Sequence, residues 1–205
     1  MEQTIRTQTK PHRTKRQIHA EETKRKIYEA GVRAISEKGV DSVSIEDITT
    51  AANVAKGSFY THFHSKADLV YSTIAYSDEI YGQMYQQVRE LSFLPMITQF
   101  VRLSYTEYEK RGKGIIKAMV SNYFAQPERD YYGKDRILVR CLTEIVEKGC
   151  SEGLLSPETS TRDYVMVLLS VMVGVEIMWC FDQQEQRLAD MMEQAIRITA
   201  LGMIC

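Results

Sequence analysis

Residues 44–69 read SIEDITTAANVAKGSFYTHFHSKADL, and this stretch predicts two short helices joined by a tight turn. Ser44 followed three residues later by Asp47 is the pattern of a helix capping box, so the first helix begins here. Residues 53–54 form the turn, and a second helix is expected over about residues 55–63. Two short helices in this arrangement make a helix-turn-helix.

The second of these helices has one apolar and one polar face. Phe59 and Phe63 lie one helical turn apart, so we expect both rings to point inward. The outward residues are small or polar and permit close approach to another molecule: Lys56, Gly57, Ser58 and Thr61. The major groove of DNA is about 12 Å wide and accepts such a helix, with side chains near its N-terminus reaching the bases. The stretch therefore predicts a DNA-binding unit.

The rest of the chain has the spacing of α-helices, because its apolar residues recur every three or four positions. A first helix is expected from Ala20 to Gly39, and a fourth from Lys66 to the break at Leu94-Pro95. Further helices are expected over about residues 95–110, 114–125, 130–150, 161–182 and 185–203. No alternation typical of strands is present. The pattern predicts an all-α fold of about nine helices.

The net charge of the chain also differs between its N-terminal and C-terminal parts. Residues 1–66 carry a net charge of about +4 and residues 67–205 about −5, although the whole chain has a formal charge of −1. A basic N-terminal part suits contact with a polyanion. The domains expected are a flexible basic arm at 1–19, a helix-turn-helix domain at 20–65, and a C-terminal domain at 66–205.

These residues resemble the N-terminal signature of the TetR (tetracycline-repressor-like) family of regulators. The resemblance starts at Ile27 and is most specific in the run KGSFYTHFHSK, residues 56–66. It implies that Lys56, Ser58 and Thr61 contact base edges or the groove. It also implies that Ser44, Tyr60, His62 and Lys66 contact the DNA backbone.

Three residues depart from the usual pattern of that family. Asn53 stands where glycine is common in the turn, and asparagine tolerates a positive φ better than most residues. Ala55 replaces a frequent serine or threonine, which removes a helix cap worth about 0.5–2 kcal/mol. Thr49 replaces a small alanine and is expected to shift the packing slightly. We expect the motif to survive all three changes.

The C-terminal region contains ten of the 12 tyrosines and nine of the ten methionines, together with the single tryptophan. These residues form either ordinary core or an apolar ligand cavity with polar tips. Such a cavity suits a lipophilic or aromatic effector. The candidates are Tyr105, Tyr108, Met119, Tyr123, Cys141, Glu176, Met178 and Trp179. We expect Glu176 to pair with a basic group, and the alternative is that it faces the cavity and meets a cationic ligand.

Residues 164–181 are almost wholly apolar, and at 18 residues they reach the lower limit for spanning a bilayer. Glu176 lies within them, and a carboxylate in hydrocarbon costs roughly 2.5–3.5 kcal/mol, so a buried helix without membrane contact is expected. A helix apolar on all sides needs cover from a second subunit. The residues expected at the homodimer interface are Val167, Val171, Gly174, Val175 and Met178 on one helix, and Met192, Ala195, Ile196, Thr199 and Met203 on the next.

Other functions receive less support from the sequence. No catalytic motif is present, so an enzyme is not expected. His62 and His64 do not share a helix face, and no metal or other cofactor is expected. The four cysteines, with no C-x-x-C spacing, indicate reduced thiols in a cytoplasmic protein without a secretory signal.

The main hypothesis is a ligand-responsive transcription regulator, by default a repressor, that binds a palindromic operator as a homodimer. A small effector would favour a conformation that no longer fits the operator. Two alternatives remain: a helical dimeric interaction protein that does not bind DNA, and a helical enzyme or carrier of small molecules.

Overall fold

The computed structural model describes residues 14–182 and 186–205, and within these ranges the chain forms nine α-helices and one short 3-10 helix at Glu109–Arg111. No β-strand occurs in the described ranges, which confirms the predicted all-α fold. In chain order the helices are α1 (Lys15–Lys38), α2 (Ile45–Ala51), α3 (Lys56–His62), α4 (Lys66–Val88), α5 (Phe93–Tyr108), α6 (Lys113–Ala125), α7 (Ile137–Ser151), α8 (Thr161–Phe181) and α9 (Leu188–Met203).

The first helix begins earlier than the sequence pattern indicated. Thr14 is its N-cap: the Thr14 hydroxyl accepts from the backbone N–H of Gln17, and the Gln17 side chain accepts from the backbone N–H of Thr14. This reciprocal capping box starts the helix at Lys15. The prediction of a flexible arm over residues 1–19 is therefore wrong for residues 15–19, and residues 1–13 lie outside the described ranges.

Two other helix boundaries differ from the prediction. The fourth helix ends at Val88, and Pro95 is the third residue of α5, where its missing N–H breaks no hydrogen bond. The seventh helix begins at Ile137 instead of residue 130. Asp78 of α4 accepts from the Nε and Nη2 of Arg136 at 2.7 and 2.8 Å, so a carboxylate from another helix fixes the start of α7.

One continuous apolar core joins the two parts of the fold. In the N-terminal part, Ile27, Ile35 and Ile48 are fully buried among α1, α2 and α3. In the C-terminal part, α4, α5, α7 and α8 pack side by side, and α9 lies along α5. Helix α4 connects the parts covalently, while α6 packs against α1.

The contact between α6 and α1 depends on a glycine near the start of α6. A Cβ built on Gly114 would lie 2.4 Å from the backbone oxygen of Ser36 and 2.7 Å from that of Ile35. Backbone cannot give way as a flexible side chain can. Only a residue without a side chain therefore lets α6 approach the end of α1 this closely.

We predict that Gly114→Ala lowers the free energy of unfolding by about 1–3 kcal/mol, because α6 must move away from α1. Urea denaturation followed by circular dichroism measures this change. Gly82→Ala is the matched control, since a Cβ there meets only Ile137 at an ordinary 3.5 Å. The control should be neutral or stabilising by up to about 1 kcal/mol, as alanine favours a helix over glycine. Equal effects of the two changes would contradict this account.

Candidate DNA-binding surface and effector cavity

Helix α3 is held in place by two aromatic side chains. Phe59 is 0% exposed and Phe63 is 2% exposed, and their ring centroids lie 5.6 Å apart. Both rings point inward as predicted. The turn before α3 also follows the prediction, since Asn53 has a φ of 54° and α3 lacks a side-chain cap at Ala55. The seven residues of α3 therefore owe their position to buried aromatic contacts.

The opposite face of α3 is open. Lys56, Gly57 and Thr61 are exposed, Ser58 is half-buried, and Tyr60 is 50% exposed. A Cβ built on Gly57 meets no described atom within 4 Å. The predicted contact residues on α3 thus share one accessible polar surface.

Lys56 forms an ion pair across the turn with Glu46 of α2. Both side chains are more than half exposed, so water screens the pair and its contribution to stability is small. The hydrogen bond to Glu46 raises the pKa of Lys56, which keeps the ammonium charged. An anion brought to this surface can compete with Glu46 for that charge.

Three of the predicted DNA contacts, Lys66, His62 and Ser44, lie outside the open face and have different surroundings. The ammonium of Lys66 donates to the backbone oxygens of Val40 and Val43, each at 2.7 Å, so it ties α4 to the loop between α1 and α2. Two of the three N–H donors of the Lys66 ammonium are therefore used within the chain, and its contact with DNA stays a prediction. His62 is half-buried. Burial is the main cause that lowers the pKa of its imidazole, and the nearby charge of Lys24 lowers this pKa further.

Ser44 remains exposed at the start of α2, although its side chain is engaged. Its hydroxyl donates to Asp47 at 2.7 Å and accepts from the Asp47 backbone N–H at 3.0 Å. The backbone N–H of Ser44 also donates to Asp47, at 2.9 Å. These bonds complete the predicted capping box and lower the pKa of Asp47. A phosphate at this position would have to share these donors with the Asp47 carboxylate.

A second candidate site is a small cavity of about 20 Å³ inside the C-terminal part. Five of the eight predicted effector-binding residues line it, from α5, α6 and α8: Tyr105, Tyr108, Met119, Tyr123 and Glu176. The cavity is also lined by four residues that the sequence pattern does not predict: Tyr81 from α4, and Tyr131, Tyr132 and Arg136 from the loop before α7. Residues 126–136 were expected to be mostly helical, so their side chains were not assigned to the cavity.

The other three predicted effector residues lie elsewhere. Met178 is 63% exposed. Trp179 is buried, but its indole N–H donates to the Gln186 carbonyl at 2.7 Å and its ring faces Lys113. Met178 is two residues beyond Glu176, which places it about 200° around the helix from the cavity.

The thiol of Cys141, also predicted to bind the effector, lies 4.0 Å from the backbone oxygen of Tyr81 and outside the cavity lining. Burial raises the pKa of this thiol to about 12, so it stays protonated at neutral pH. A protonated, buried thiol reacts slowly with oxidants, because the thiolate is the reactive form. Cys141 therefore acts as a small apolar core residue.

Glu176 is the buried carboxylate of the cavity, with 5% of its surface exposed. It accepts hydrogen bonds from the hydroxyls of Tyr105 at 2.7 Å and Tyr123 at 3.4 Å. No ion pair to Glu176 occurs among the described residues, so the prediction of a basic partner is wrong. Burial raises the pKa of Glu176 to about 7, and the two tyrosine hydrogen bonds reduce that rise.

The predicted dimer residues divide into two groups. Val167 is exposed, and Val171, Gly174, Val175, Ala195, Thr199 and Met203 are partly exposed. A shallow groove between α8 and α9 is lined by Val171, Gly174, Val175, Met178 and Ala195. Met192 and Ile196, by contrast, are 0% exposed within one chain, because this side of α9 packs on α5. Their assignment to an interface between subunits is wrong.

We predict that Glu176→Gln makes stability less dependent on pH. The carboxyl titrates at about 7 when folded, against an ordinary value of 4.5, so the native chain loses stability as pH rises through this window. From pH 5 to pH 8, the free energy of unfolding of the variant should rise by on the order of 2–3 kcal/mol relative to that of the native chain. Urea denaturation at both pH values measures the difference.

Glu144→Gln is the control for this change, because Glu144 also accepts a hydrogen bond from a tyrosine, Tyr85, but is exposed. It should show no such gain between the two pH values. If the difference in free energy of unfolding between Glu176→Gln and the native chain does not grow with pH, the carboxyl is not held in a desolvated environment.

Comparison with known proteins agrees with these features. Residues 27–72 match the family model described as bacterial regulatory proteins, tetR family. The HTH-type transcriptional regulator YwcC of Bacillus subtilis (strain 168) is 43% identical over 58 residues, which are 28% of this chain and 26% of YwcC. The chain thus spans about a quarter of the length of the curated relatives it matches.

Solved structures extend the likeness to the fold of the whole chain. Thermus thermophilus FadR, a TetR-family repressor in complex with lauroyl-CoA, has a TM-score of 0.67 at 18% identity, covering 89% of this chain and 95% of FadR. SmeT, the repressor of the Stenotrophomonas maltophilia multidrug efflux pump SmeDEF, has a TM-score of 0.69 at 15% identity, covering 90% and 93%. Residues 27–72 thus have the sequence pattern of the tetR family of bacterial regulatory proteins, and the whole chain has the helical fold of solved TetR-family structures.

Proposed function

We propose that the chain is a transcriptional repressor that binds a palindromic operator as a homodimer and releases it when a small effector enters the C-terminal cavity. The observation that carries the proposal is the open polar face of α3, opposite two fully buried phenylalanines. Nothing in the described residues covers this face. A rigid helix with an accessible polar side is what entry into a major groove requires.

Each residue of the open face has a role in this proposal. Lys56, at the start of α3, leaves Glu46 and contacts a base edge or a phosphate. Gly57 lets the backbone approach the groove, and Ser58 and Thr61 supply hydroxyls. The exposed hydroxyl of Tyr60 bonds a phosphate, as does the half-buried His62, while Ser44 contacts the backbone from the start of α2.

The exposed apolar surface of α8 and α9 supports the homodimer. Val167, Met178 and Phe181 on α8 and Ile198 and Leu201 on α9 are each 46–75% exposed. A second copy of this surface would cover it by twofold symmetry, and two α3 helices could then reach successive grooves of one palindrome. By length and composition α8 could also cross a membrane. We assign its exposed face to the dimer instead, because its other face buries Glu176, and we place the protein in the cytoplasm.

Coupling between cavity and DNA follows from the loop at residues 126–136. Its Tyr131, Tyr132 and Arg136 form one wall of the cavity. The same loop is tied to α4 twice, by Arg129 to Asp68 at 3.0 Å and by Arg136 to Asp78.

Three residues separate the end of α3 from the start of α4, and Asp68 also accepts from the His64 backbone N–H at 3.1 Å. Small-molecule sites generally occupy about 300–1,000 Å³, so a ligand must enlarge the present 20 Å³ cavity. Displacing the loop would strain its ties to α4 and change the position of α3. Thermus thermophilus FadR, solved in complex with lauroyl-CoA, has the same fold, which supports binding of a small effector by a chain of this fold.

We predict that the full-length protein selects a palindromic sequence from a random pool of DNA duplexes at moderate salt. Lys56→Ala and Tyr60→Phe should each weaken binding to that duplex about tenfold or more, because a contact with DNA is typically worth 1–3 kcal/mol. Fluorescence anisotropy with the labelled duplex measures the affinities.

Lys148→Ala is the matched control, since Lys148 is also a surface lysine paired with a glutamate, Glu152, but lies on α7. Its affinity should remain that of the native chain. Recovery of no sequence from the pool would remove the proposal and favour the alternative of a helical interaction protein that binds no DNA.

We predict that Ile198→Glu shifts the protein from dimer to monomer, raising the dissociation constant by at least tenfold, because an unpaired carboxylate would be buried in the interface. Sedimentation velocity measures the proportions of dimer and monomer. Ile18→Glu is the control, since Ile18 is also an exposed isoleucine, 44% exposed, but lies on α1. An unchanged dimer for Ile198→Glu would place the interface elsewhere.

A further inference from the structure

Glu176 is a buried carboxylate with room for another partner. Its two hydrogen-bond donors are tyrosine hydroxyls, one of them at a long 3.4 Å. A carboxylate offers about four acceptor positions, so its capacity is not filled by these two bonds. Buried charges in proteins are normally paired with an opposite charge. The side chain lines the cavity, and a ligand there is in reach of the unused positions.

Tyrosine rings surround the same cavity. Tyr81, Tyr105, Tyr108, Tyr123 and Tyr132 all line it. Tyr105 and Tyr108 meet edge to face with centroids 5.4 Å apart, while Tyr123 and Tyr132 are tilted at 5.8 Å. Rings inclined to one another in this way present faces as well as edges to the space between them. The face of an aromatic ring attracts a cation, and most strongly where water is excluded.

Arg136 also lines the cavity but does not compensate Glu176. Its guanidinium donates to both carboxylate oxygens of Asp78, and a further N–H bonds the backbone oxygen of Tyr131. Its charge is therefore already balanced by Asp78. Arg136 is the only cationic residue among the described residues that line the cavity, so an anionic ligand would face the carboxylate of Glu176 without a free cation to receive it.

We propose that the cavity binds a monovalent organic cation: an ammonium or similar centre on an apolar or aromatic body. The cationic centre pairs with Glu176 and lies among the tyrosine rings, and the apolar body displaces the loop at residues 126–136. This inference rests on the proposed effector role of the cavity and specifies the ligand class. It selects against carboxylates and acyl phosphates, which the same site would repel.

Binding of such a cation depends on pH, with a sign fixed by Glu176. The ionisable groups that face it are the tyrosines of α4, α5, α6 and the loop, together with Arg136 and, one turn along α8, Cys180. Burial raises the pKa of each of these tyrosines and of Cys180, and Asp78 raises that of Arg136, so none changes charge between pH 5 and pH 8. Glu176 titrates at about 7, so affinity for a permanent cation should fall as pH drops below 7.

The test uses isothermal titration calorimetry on the full-length protein with four probes. Tetraethylammonium and benzyltrimethylammonium carry a permanent positive charge, 2-phenylethanol is neutral, and phenylacetate is negative. At pH 8 we expect one or both cations to bind at least tenfold more tightly than 2-phenylethanol and than phenylacetate. Its affinity should fall about tenfold between pH 7 and pH 5.5.

Variants separate a direct role of the charge from a general effect on packing. Glu176→Gln keeps the side-chain size and should lose at least tenfold in cation affinity, together with the pH dependence. Glu176→Asp keeps the charge and should retain part of the affinity, provided that thermal unfolding shows it folded. Glu144→Gln, the exposed tyrosine-bonded carboxylate, should bind the cation as the native chain does.

Failure of both cations to bind, or equal binding of 2-phenylethanol, would overturn the proposal. So would a Glu176→Gln variant with unchanged cation affinity and unchanged pH dependence. The proposed function is tested separately by adding the bound cation to the complex with the selected duplex. Cation binding without release of DNA would support the site and contradict its effector role. DNA binding without cation binding would contradict the cation site and leave the proposed operator binding intact.

Discussion

The packing of Phe59 and Phe63 against the N-terminal core is the contact on which the rest of the structure depends. Helix α3 has seven residues and no side-chain cap, and a helix this short does not form by itself in water. Its two rings are almost fully buried with Ile27, Ile48 and the other core residues of the N-terminal part. Burying one face of α3 in this way also directs the opposite face, with Lys56 and Tyr60, toward solvent.

Two contacts join the C-terminal part of the fold to the N-terminal part. Helix α4 begins just beyond α3, and Lys66 fixes its first turn to the backbone of the loop between α1 and α2. The close approach of α6 to α1 at Gly114 forms the second connection. The cavity lies between α4, α5, α6 and α8, with the loop at residues 126–136 tied to α4 at Asp68 and Asp78. In the proposed function, a change in cavity volume would therefore act on helices that also contact the N-terminal part.

The sequence was sufficient for features that depend on local pattern. The capping box at Ser44, the positive φ at Asn53 and the inward rings of α3 all follow from residue types at fixed spacing. The helical fold follows from apolar periodicity. At the cavity, the composition indicated a tyrosine-rich site, and Glu176 stood out because it interrupts an apolar helix.

Features that depend on contacts distant in the sequence could not be predicted in the same way. Lys66 donates to carbonyls more than 20 residues away, and Asp78 sets the start of α7 from another helix. Met192 and Ile196 face α5. Periodicity alone could not predict this, because α9 has apolar residues on more than one side. Met178 could have been separated from the cavity, since the helical repeat places it about 200° around α8 from Glu176. Trp179, three residues beyond Glu176, lies on the same side of the helix, and its place outside the cavity depends on its contacts with Gln186 and Lys113.

The most direct test of the account is an NMR measurement of the full-length protein, labelled with ¹³C and ¹⁵N, with and without its selected duplex. If buried aromatic contacts hold α3 with its polar face toward DNA, the largest chemical-shift changes should fall at residues 44 and 56–61. The signals of Phe59 and Phe63 side chains should at the same time keep the shifts of buried rings. Changes confined to α8 and α9, with α3 unaffected, would contradict the account.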